Sequence, residues 1–222
     1  MLLRPALKRV LFPRLDVSPN FVVQNGSASA LTTYTFSNVR LKAGGGDGHV
    51  IVGVSGVNVT ADRTISDFTI GGTKAVSLFQ AAGTPGGQFH RQAFYGVQAP
   101  GSYGDIVVTW SAAQLRTHYA VWDVRNLQNL AATDSASDHD LTATLNCDVL
   151  AGGAIIAMSV TNSSGTITWG GSAVGVYDDT TLVATVRYAG AQYQSPTELA
   201  DVPFSATISA GTAPASIAMA LR

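Results

Sequence analysis

Cysteine, glutamate and charge are all scarce in this chain of 222 residues. Cys147 is the single cysteine, which excludes a disulfide within the chain. Charged residues make up 12% of the sequence, about half the usual share, which excludes a disordered and heavily solvated chain. Glu198 is the single glutamate among fourteen acidic residues, and aspartate favours turns over helices. No apolar run reaches about 18 residues, so the sequence predicts no membrane-spanning helix.

Short alternating segments, separated by turn-forming residues, fill the chain after about residue 30. TTYTFSNVRL places Tyr34 and Phe36 on one face, and the β-branched run HVIVGVSGVNV predicts a central strand. ISDFTI, Gly71-Gly72 and TKAVSLFQ together predict a hairpin. About fourteen such segments, none with helical periodicity, predict an all-β fold: a jelly-roll-like antiparallel β-sandwich over residues 30–222.

The stretch NLQNLAATDSASDHD interrupts this alternation and predicts a connection between two halves, about 30–126 and 140–222. The halves share landmarks in the same order: AGGGDGHVIVGVS with LAGGAIIAMSV, FTIGGTKAV with ITWGGSAV, and PGSYGDIVVTW with GTAPASIAMAL. An internal duplication would produce this order. The common turn chemistry of β-hairpins would produce it too. Either explanation predicts two facing sheets.

The N-terminal region differs from the rest of the chain in charge and periodicity. Four of the thirteen basic residues and no acid lie in residues 1–15, which leaves nine basic and fourteen acidic residues, a net charge of −5, for the remainder. A body of this charge predicts no nucleic-acid partner. Residues 2–11 place apolar side chains on one side of a short helix that Pro13 ends. We interpret residues 1–29 as a basic anchoring arm, with partner-binding residues Leu3, Arg4, Leu7, Lys8, Arg9, Val10, Leu11 and Arg14.

Two other roles remain open for this arm. It could pack on its own sandwich, or it could lie on a membrane surface, for which about ten residues make a short helix. Lys8 and Arg9 interrupt the apolar stretch, so the sequence predicts no signal peptide. We expect a protein partner for the arm and no membrane.

Motifs of catalysis are missing from the sequence. GVSGV and GGSAVG both miss the spacing of a GxSxG nucleophile elbow. The clusters GGGDG and GTPGG lack the Lys-Ser/Thr ending of a phosphate-binding loop. We therefore predict that the protein is not an enzyme, with no catalytic residues, no metal and no cofactor.

The remaining polar and aromatic residues fit structural roles. Cys147 continues an alternating apolar series and is predicted to be a buried thiol. Along their predicted strands, His90 and His118 alternate with apolar residues or lie beside aromatic ones. This pattern predicts that both histidines lie at the surface or in an interface. The segment DSASDHD is interpreted as a solvated connector, with a calcium site as the alternative. The tryptophans are predicted to fill the core or sheet ends, with an exposed sugar platform as the alternative: Trp110, Trp122 and Trp169.

The series TYTFSNVRL…HVIVGVSG…ISDFTIGGTKAVSLFQ…AFYGVQAPGSYGDIVVTWS…HYAVWDV, followed by GGAIIAMSV…TITWGG…YDD, resembles β-sandwich proteins encoded in structural clusters of tailed phages and gene transfer agents. The likeness is one of strand rhythm and Gly-Gly turns over residues 30–222. It implies a virion component assembled in the bacterial cytoplasm: a capsid decoration protein, head fibre or tail accessory protein. Its partners would be other virion proteins and copies of itself. A carbohydrate- or receptor-binding module of a tail or head fibre is the alternative.

Overall fold

The computed structural model describes residues 15–43, 48–98, 101–162, 165–179 and 186–222. These residues form nineteen strands and one short 3₁₀ turn, Pro85–Gly87, and contain no α-helix, which confirms the all-β prediction. The strands of the first half are β1 (Ser18–Ser27), β2 (Leu31–Arg40), β3 (His49–Asn58), β4 (Ile65–Ile70), β5 (Thr73–Lys74), β6 (Val76–Gly83), β7 (Phe89–Gln98), β8 (Tyr103–Gln114) and β9 (Arg116–Arg125). Those of the second half are β10 (Ala132–Asp138), β11 (Thr142–Thr144), β12 (Cys147–Val149), β13 (Gly153–Asn162), β14 (Ile167–Gly171), β15 (Val174–Asp179), β16 (Arg187–Ser195), β17 (Leu199–Val202), β18 (Phe204–Ile208) and β19 (Thr212–Leu221).

The first half has the strand pairing of a jelly roll. Its inner sheet has the order β1-β9-β3-β7-β6, and its outer sheet has the order β2-β8-β4-β5. With β6 set aside, the first strand pairs with the last and the pairing nests inward, as β1·β9, β2·β8, β3·β7 and β4·β5, all antiparallel. This nested pairing wraps one long hairpin into two facing sheets, which is the jelly-roll arrangement.

The second half repeats the same order. Its inner sheet is β10-β19-β13-β16-β15 and its outer sheet is β11-β18-β14, with a separate β12-β17 ladder beside it. Two of the three sequence landmarks fall on equivalent elements, since β3 corresponds to β13, and the β4 strand and turn correspond to β14 and its turn. The third pairing is wrong: GDIVVTW lies in β8, whereas ASIAMAL lies in β19, the counterpart of β9.

The sheets stack as layers, with the two inner sheets packed face to face in the middle. The core between the first outer and inner sheets includes Tyr34, Val52, Phe68, Ile106 and Trp110. The core between the two inner sheets includes Ile51, Phe94, Trp122, Ile156, Met158 and Met219. The core between the second inner sheet and its outer cover includes Leu145, Cys147, Ile155, Ala218 and Phe204. Both inner sheets are therefore buried on both faces, as in sheets covered from two sides.

The inner sheets meet with an approximate two-fold relation. At one margin β1 packs on β15, where Phe21 and Tyr177 stack with ring centroids 5.0 Å apart. At the other margin β6 packs on β10. Because β10 is the counterpart of β1 and β15 that of β6, each half presents an equivalent surface to the other, as in an isologous dimer.

Two strands lie where the sequence predicted none. β1 lies inside the range assigned to the arm, so the sandwich begins at Ser18 rather than at residue 30. β10 lies inside the predicted connector, which shortens the connection between the halves to residues 126–131. Both are edge strands, SPNFVVQNGS and ATDSASD, with one hydrogen-bonded neighbour each. Edge strands carry polar residues and proline, which masks the apolar alternation.

The Gly71-Gly72 turn between β4 and β5 confirms the turn of the predicted hairpin, but only Thr73 and Lys74 of the predicted second strand TKAVSLFQ pair with β4. Ile70 pairs with Thr73, which leaves two residues in the turn. Both glycines have positive φ, 58° and 77°, as a type I′ turn requires. After Lys74 the chain leaves the outer sheet and enters the inner sheet as β6.

Candidate functional site

Residues 16 and 17, which lead into β1, are held by hydrogen bonds with the second half and with the connection between the halves. The Val17 amide donates to the Gly152 carbonyl at 2.8 Å. The Val17 carbonyl accepts from Gln194 Nε2 at 2.6 Å, and the Asp16 carbonyl accepts from Asn126 Nδ2 at 2.9 Å. Val17 is fully buried. We call these contacts the root clamp; they fix the position of residues 16 and 17 on the body.

The predicted arm residues lie outside the described part of the chain. They are Leu3, Arg4, Leu7, Lys8, Arg9, Val10, Leu11 and Arg14. Their partner-binding role stays a prediction, and so does the helix over residues 2–11.

The histidines His90 and His118 were predicted at the surface or in an interface. They are buried, with 1% and 0% of their surface exposed, so the surface alternative is wrong. That prediction assumed that one face of each strand meets solvent. His118 lies on β9 and His90 on β7, and both strands belong to the first inner sheet. Because the second inner sheet covers the opposite face, the alternation of polar and apolar residues marks two different cores rather than core and solvent.

His118 takes part in a hydrogen-bond chain across the interface between the inner sheets. Its Nε2 lies 2.8 Å from Gln24 Oε1, and Gln24 Nε2 donates to the Asp179 carboxylate. The carboxylate only accepts, so the amide group of Gln24 must face Asp179 and its oxygen must face His118. His118 is therefore the Nε2–H tautomer. Its ring stacks on Tyr188 at 4.1 Å with an interplanar angle of 6°.

Further polar side chains surround His118 on the same face of the first inner sheet. Ser55 on β3 is in register with His118 on one side and with Gln92 on the other. Buried polar atoms of this region have no hydrogen-bond partner among the described residues: Ser55 Oγ, Gln92 Nε2, His118 Nδ1, both ring nitrogens of His90 and the Tyr177 hydroxyl. An unpaired buried polar group costs about 1–3 kcal/mol. We call Gln24, Ser55, His90, Gln92 and His118 the polar seam.

Burial dominates the ionisation of the polar seam. It lowers the pKa of His118 to about 3, against the opposing effect of the Asp179 charge. It lowers the pKa of His90 to about 4, and the charge of His139 acts in the same direction. Tyr177 and Tyr188, which pack on His118, have raised pKa values because they too are buried. The seam is therefore neutral at pH 7.

A groove of about 480 Å³ opens between β14 and β15 at the lateral edge of the second half. Its lining includes Thr168, Trp169, Gly175, Tyr177 and Asp178. Trp169 is half-buried and meets Phe204 edge to face. Asp178 is held by Arg187, whose Nη2 donates to Asp178 Oδ2 at 2.6 Å. Trp110 and Trp122 are core residues as predicted, whereas Trp169 lies at the wall of this groove.

Cys147 and the aspartates of DSASDHD have structural roles. Cys147 is 1% exposed, which confirms the buried thiol, and burial raises its pKa to about 12. Asp134 accepts from the backbone amides of Ser135 and Asp148, and Asp138 accepts from those of Asp140 and Thr144. These carboxylates fix turns and strand ends. Within the described ranges no group of three or more histidine, cysteine or acidic side chains could hold a metal ion.

No helix in the described part of the chain is long and apolar enough to cross a membrane. No family model matches the chain, and neither the curated proteins nor the solved structures contain a match. The resemblance to phage and gene-transfer-agent proteins therefore stays a prediction.

Proposed function

We propose that this protein is a non-enzymatic structural component of a tailed-phage or related particle, attached through its N-terminal arm. The observation that carries the proposal is the root clamp. Hydrogen bonds with Gly152, Gln194 and Asn126 hold residues 16 and 17 against the second half and the connection between the halves. An arm attached at a fixed point would restrict where the body lies relative to the docking site. An arm on a free linker would not.

The outer faces of the layered body support contacts with neighbouring proteins. On the first outer sheet, Thr33 and Thr109 are paired across strands, with hydroxyls 3.3 Å apart. On the second outer sheet, Thr142, Thr207 and Thr168 form one row. Rows of short uncharged side chains are cheaper to desolvate than charged ones. These faces suit packing against a shell or against other copies of the chain.

The direct test is the presence of the protein in particles produced by the genome that encodes it. We expect the protein to sediment with purified particles in a density gradient and to be detected there by mass spectrometry. Deletion of residues 1–14, which spares the root clamp, should move it to the soluble fraction. The control is Glu198→Gln, which removes one exposed body charge from the loop between β16 and β17 and should sediment normally. A full-length protein found only in the soluble fraction would overturn the proposal.

The second candidate function is carbohydrate or receptor binding, favoured by the groove beside Trp169. An indole ring beside Thr168 and Asp178 offers a stacking surface with hydroxyl and carboxylate partners, as sugars require. The test is a glycan array, followed by titration of any bound glycan against Trp169→Ala. Binding that this substitution abolishes would support the second candidate. Trp110 and Trp122 stay unchanged in the variant and report whether its core is folded.

A further inference from the structure

We propose that the polar seam is an acid-sensitive latch, and that protonation of His118 and His90 opens the interface between the two inner sheets while each jelly roll stays folded. The inference goes beyond the proposed function and does not depend on it. It rests on where the histidines lie, on how His118 is hydrogen-bonded, and on what faces each ring.

The hydrogen bonds of His118 leave no place for a second ring proton. Gln24 fixes the proton of the neutral ring on Nε2, as its own amide group is committed to Asp179. Protonation would add an N–H at Nδ1, which is buried and has no acceptor among the described residues. A buried charge with an unpaired donor is strongly unfavourable. Opening the interface would let water solvate that proton.

The charged groups around His118 provide little compensation. Tyr177 and Asp179 on β15 and Tyr188 on β16 face the ring from the second inner sheet. Asp179 acts in favour of the protonated ring, but Gln24 stands between them. Of the nearby cations, Arg187 is paired with Asp178, and Arg116 lies close to Tyr188.

His90 adds a second titratable group at the opposite side of the seam. Both of its ring nitrogens are buried without a partner among the described residues. His139, which follows β10 in the second half, packs on Gly83 beside it, and a side chain at Gly83 would clash with the His139 ring. A charge on His139 opposes a charge on His90. On the other face of β7, Arg91 is already paired with Asp62. Protonation therefore creates repulsion across the interface here.

The direction of the pH effect follows from the lowered pKa values. A histidine whose pKa in the closed form lies below the ordinary value of 6.5 stabilises that form fully above pH 6.5. This stabilisation is lost as the pH falls toward the pKa of the closed form, which is about 3 for His118 and about 4 for His90. Between pH 7 and pH 5, each histidine that regains its ordinary pKa on opening raises the opening constant roughly 20-fold.

Thiol labelling separates opening of the interface from unfolding of the halves. Ala120 lies in the core between the inner sheets, whereas Cys147 lies in the core of the second half. Ala120→Cys in a Cys147→Ala background reports the first region, and the unmodified chain reports the second. With dithiodipyridine as the probe, the thiol introduced at position 120 should be labelled at least tenfold faster at pH 5 than at pH 7, after correction for the reagent's own pH dependence. Cys147 should stay protected at both pH values.

Histidine variants test whether the latch depends on the seam. His118→Gln with His90→Gln should abolish the acid response, and His49→Gln, outside the seam, should keep it. If the double variant does not fold, the single variants should each reduce the response, and Ala154→Cys on the opposing sheet gives an independent reporter. The proposal is overturned if the thiol at position 120 stays protected at pH 5, if Cys147 becomes reactive together with it, or if the glutamine variants respond as the unmodified chain does.

Discussion

At the scale of single residues, burial decides the chemistry of the side chains that the sequence leaves ambiguous. Cys147 could have been a nucleophile or a ligand, but it packs with Ile155 and Phe204 and its pKa is raised to about 12. A thiol with such a pKa stays protonated and inert at neutral pH. His118 is likewise a neutral core residue rather than an exposed base.

Replacement of Cys147 tests its assignment as a core thiol. Cys147→Ser places a hydroxyl among apolar neighbours, and we expect it to lower the free energy of unfolding by about 1–3 kcal/mol. Cys147→Ala is the matched control, since it removes the sulfur without adding a polar group and should cost less. Urea denaturation at pH 7 measures both. A serine variant as stable as the unmodified chain would contradict the burial of this residue.

At the scale of elements, close approach of backbones limits what can be substituted. Gly53 on β3 faces Met158 on β13 across the inner interface, and a Cβ at position 53 would clash with the methionine sulfur. The absence of a side chain there lets the two inner sheets meet.

Gly53→Ala should therefore destabilise the protein by about 1–3 kcal/mol through overpacking. Adding Met158→Ala should recover part of this loss, because it removes the atom that the new methyl group meets. Thermal or urea unfolding of the two single variants and the double variant gives the coupling energy. Strictly additive losses would show that the two positions do not meet.

The β4–β5 turn offers a second test at this scale. Gly72 has φ = 77°, and no atom lies within 4 Å of the Cβ that a side chain would place there. Gly72→Val should cost about 1–2 kcal/mol from backbone strain alone. Gly72→Asn should cost less than half as much, because asparagine tolerates this region. Equal losses for the two variants would contradict the type I′ geometry.

At the scale of the whole molecule, the two jelly rolls share one interface that neither can cover alone. The inner face of each half carries large apolar side chains, such as Phe94 and Trp122 against Ile156 and Met219. An exposed apolar face of this kind drives association or aggregation. The two halves are thus expected to depend on each other for solubility.

Expression of the halves as separate chains tests this dependence. Residues 15–126 and residues 127–222 should each be insoluble or self-associated when produced alone. When the two fragments are produced together, they should form a soluble one-to-one complex, measured by size-exclusion chromatography with light scattering. A monomeric, folded fragment of residues 127–222 would show that the second half does not need the first.

Local patterns in the sequence were sufficient to predict most strands, because alternation, β-branched runs and glycine turns act through local geometry. Tyr34 and Phe36 on one face, the Gly71-Gly72 hairpin and the buried Cys147 follow from neighbouring residues alone. What covers each face depends instead on the packing of distant segments. A strand cannot report whether its second face meets water or another sheet, so the burial of His90 and His118 became visible only when the inner sheets were seen packed together. Edge strands β1 and β10 depend in the same way on partners distant in the chain, β9 and β19, whose hydrogen bonds replace the apolar pattern that their sequences lack.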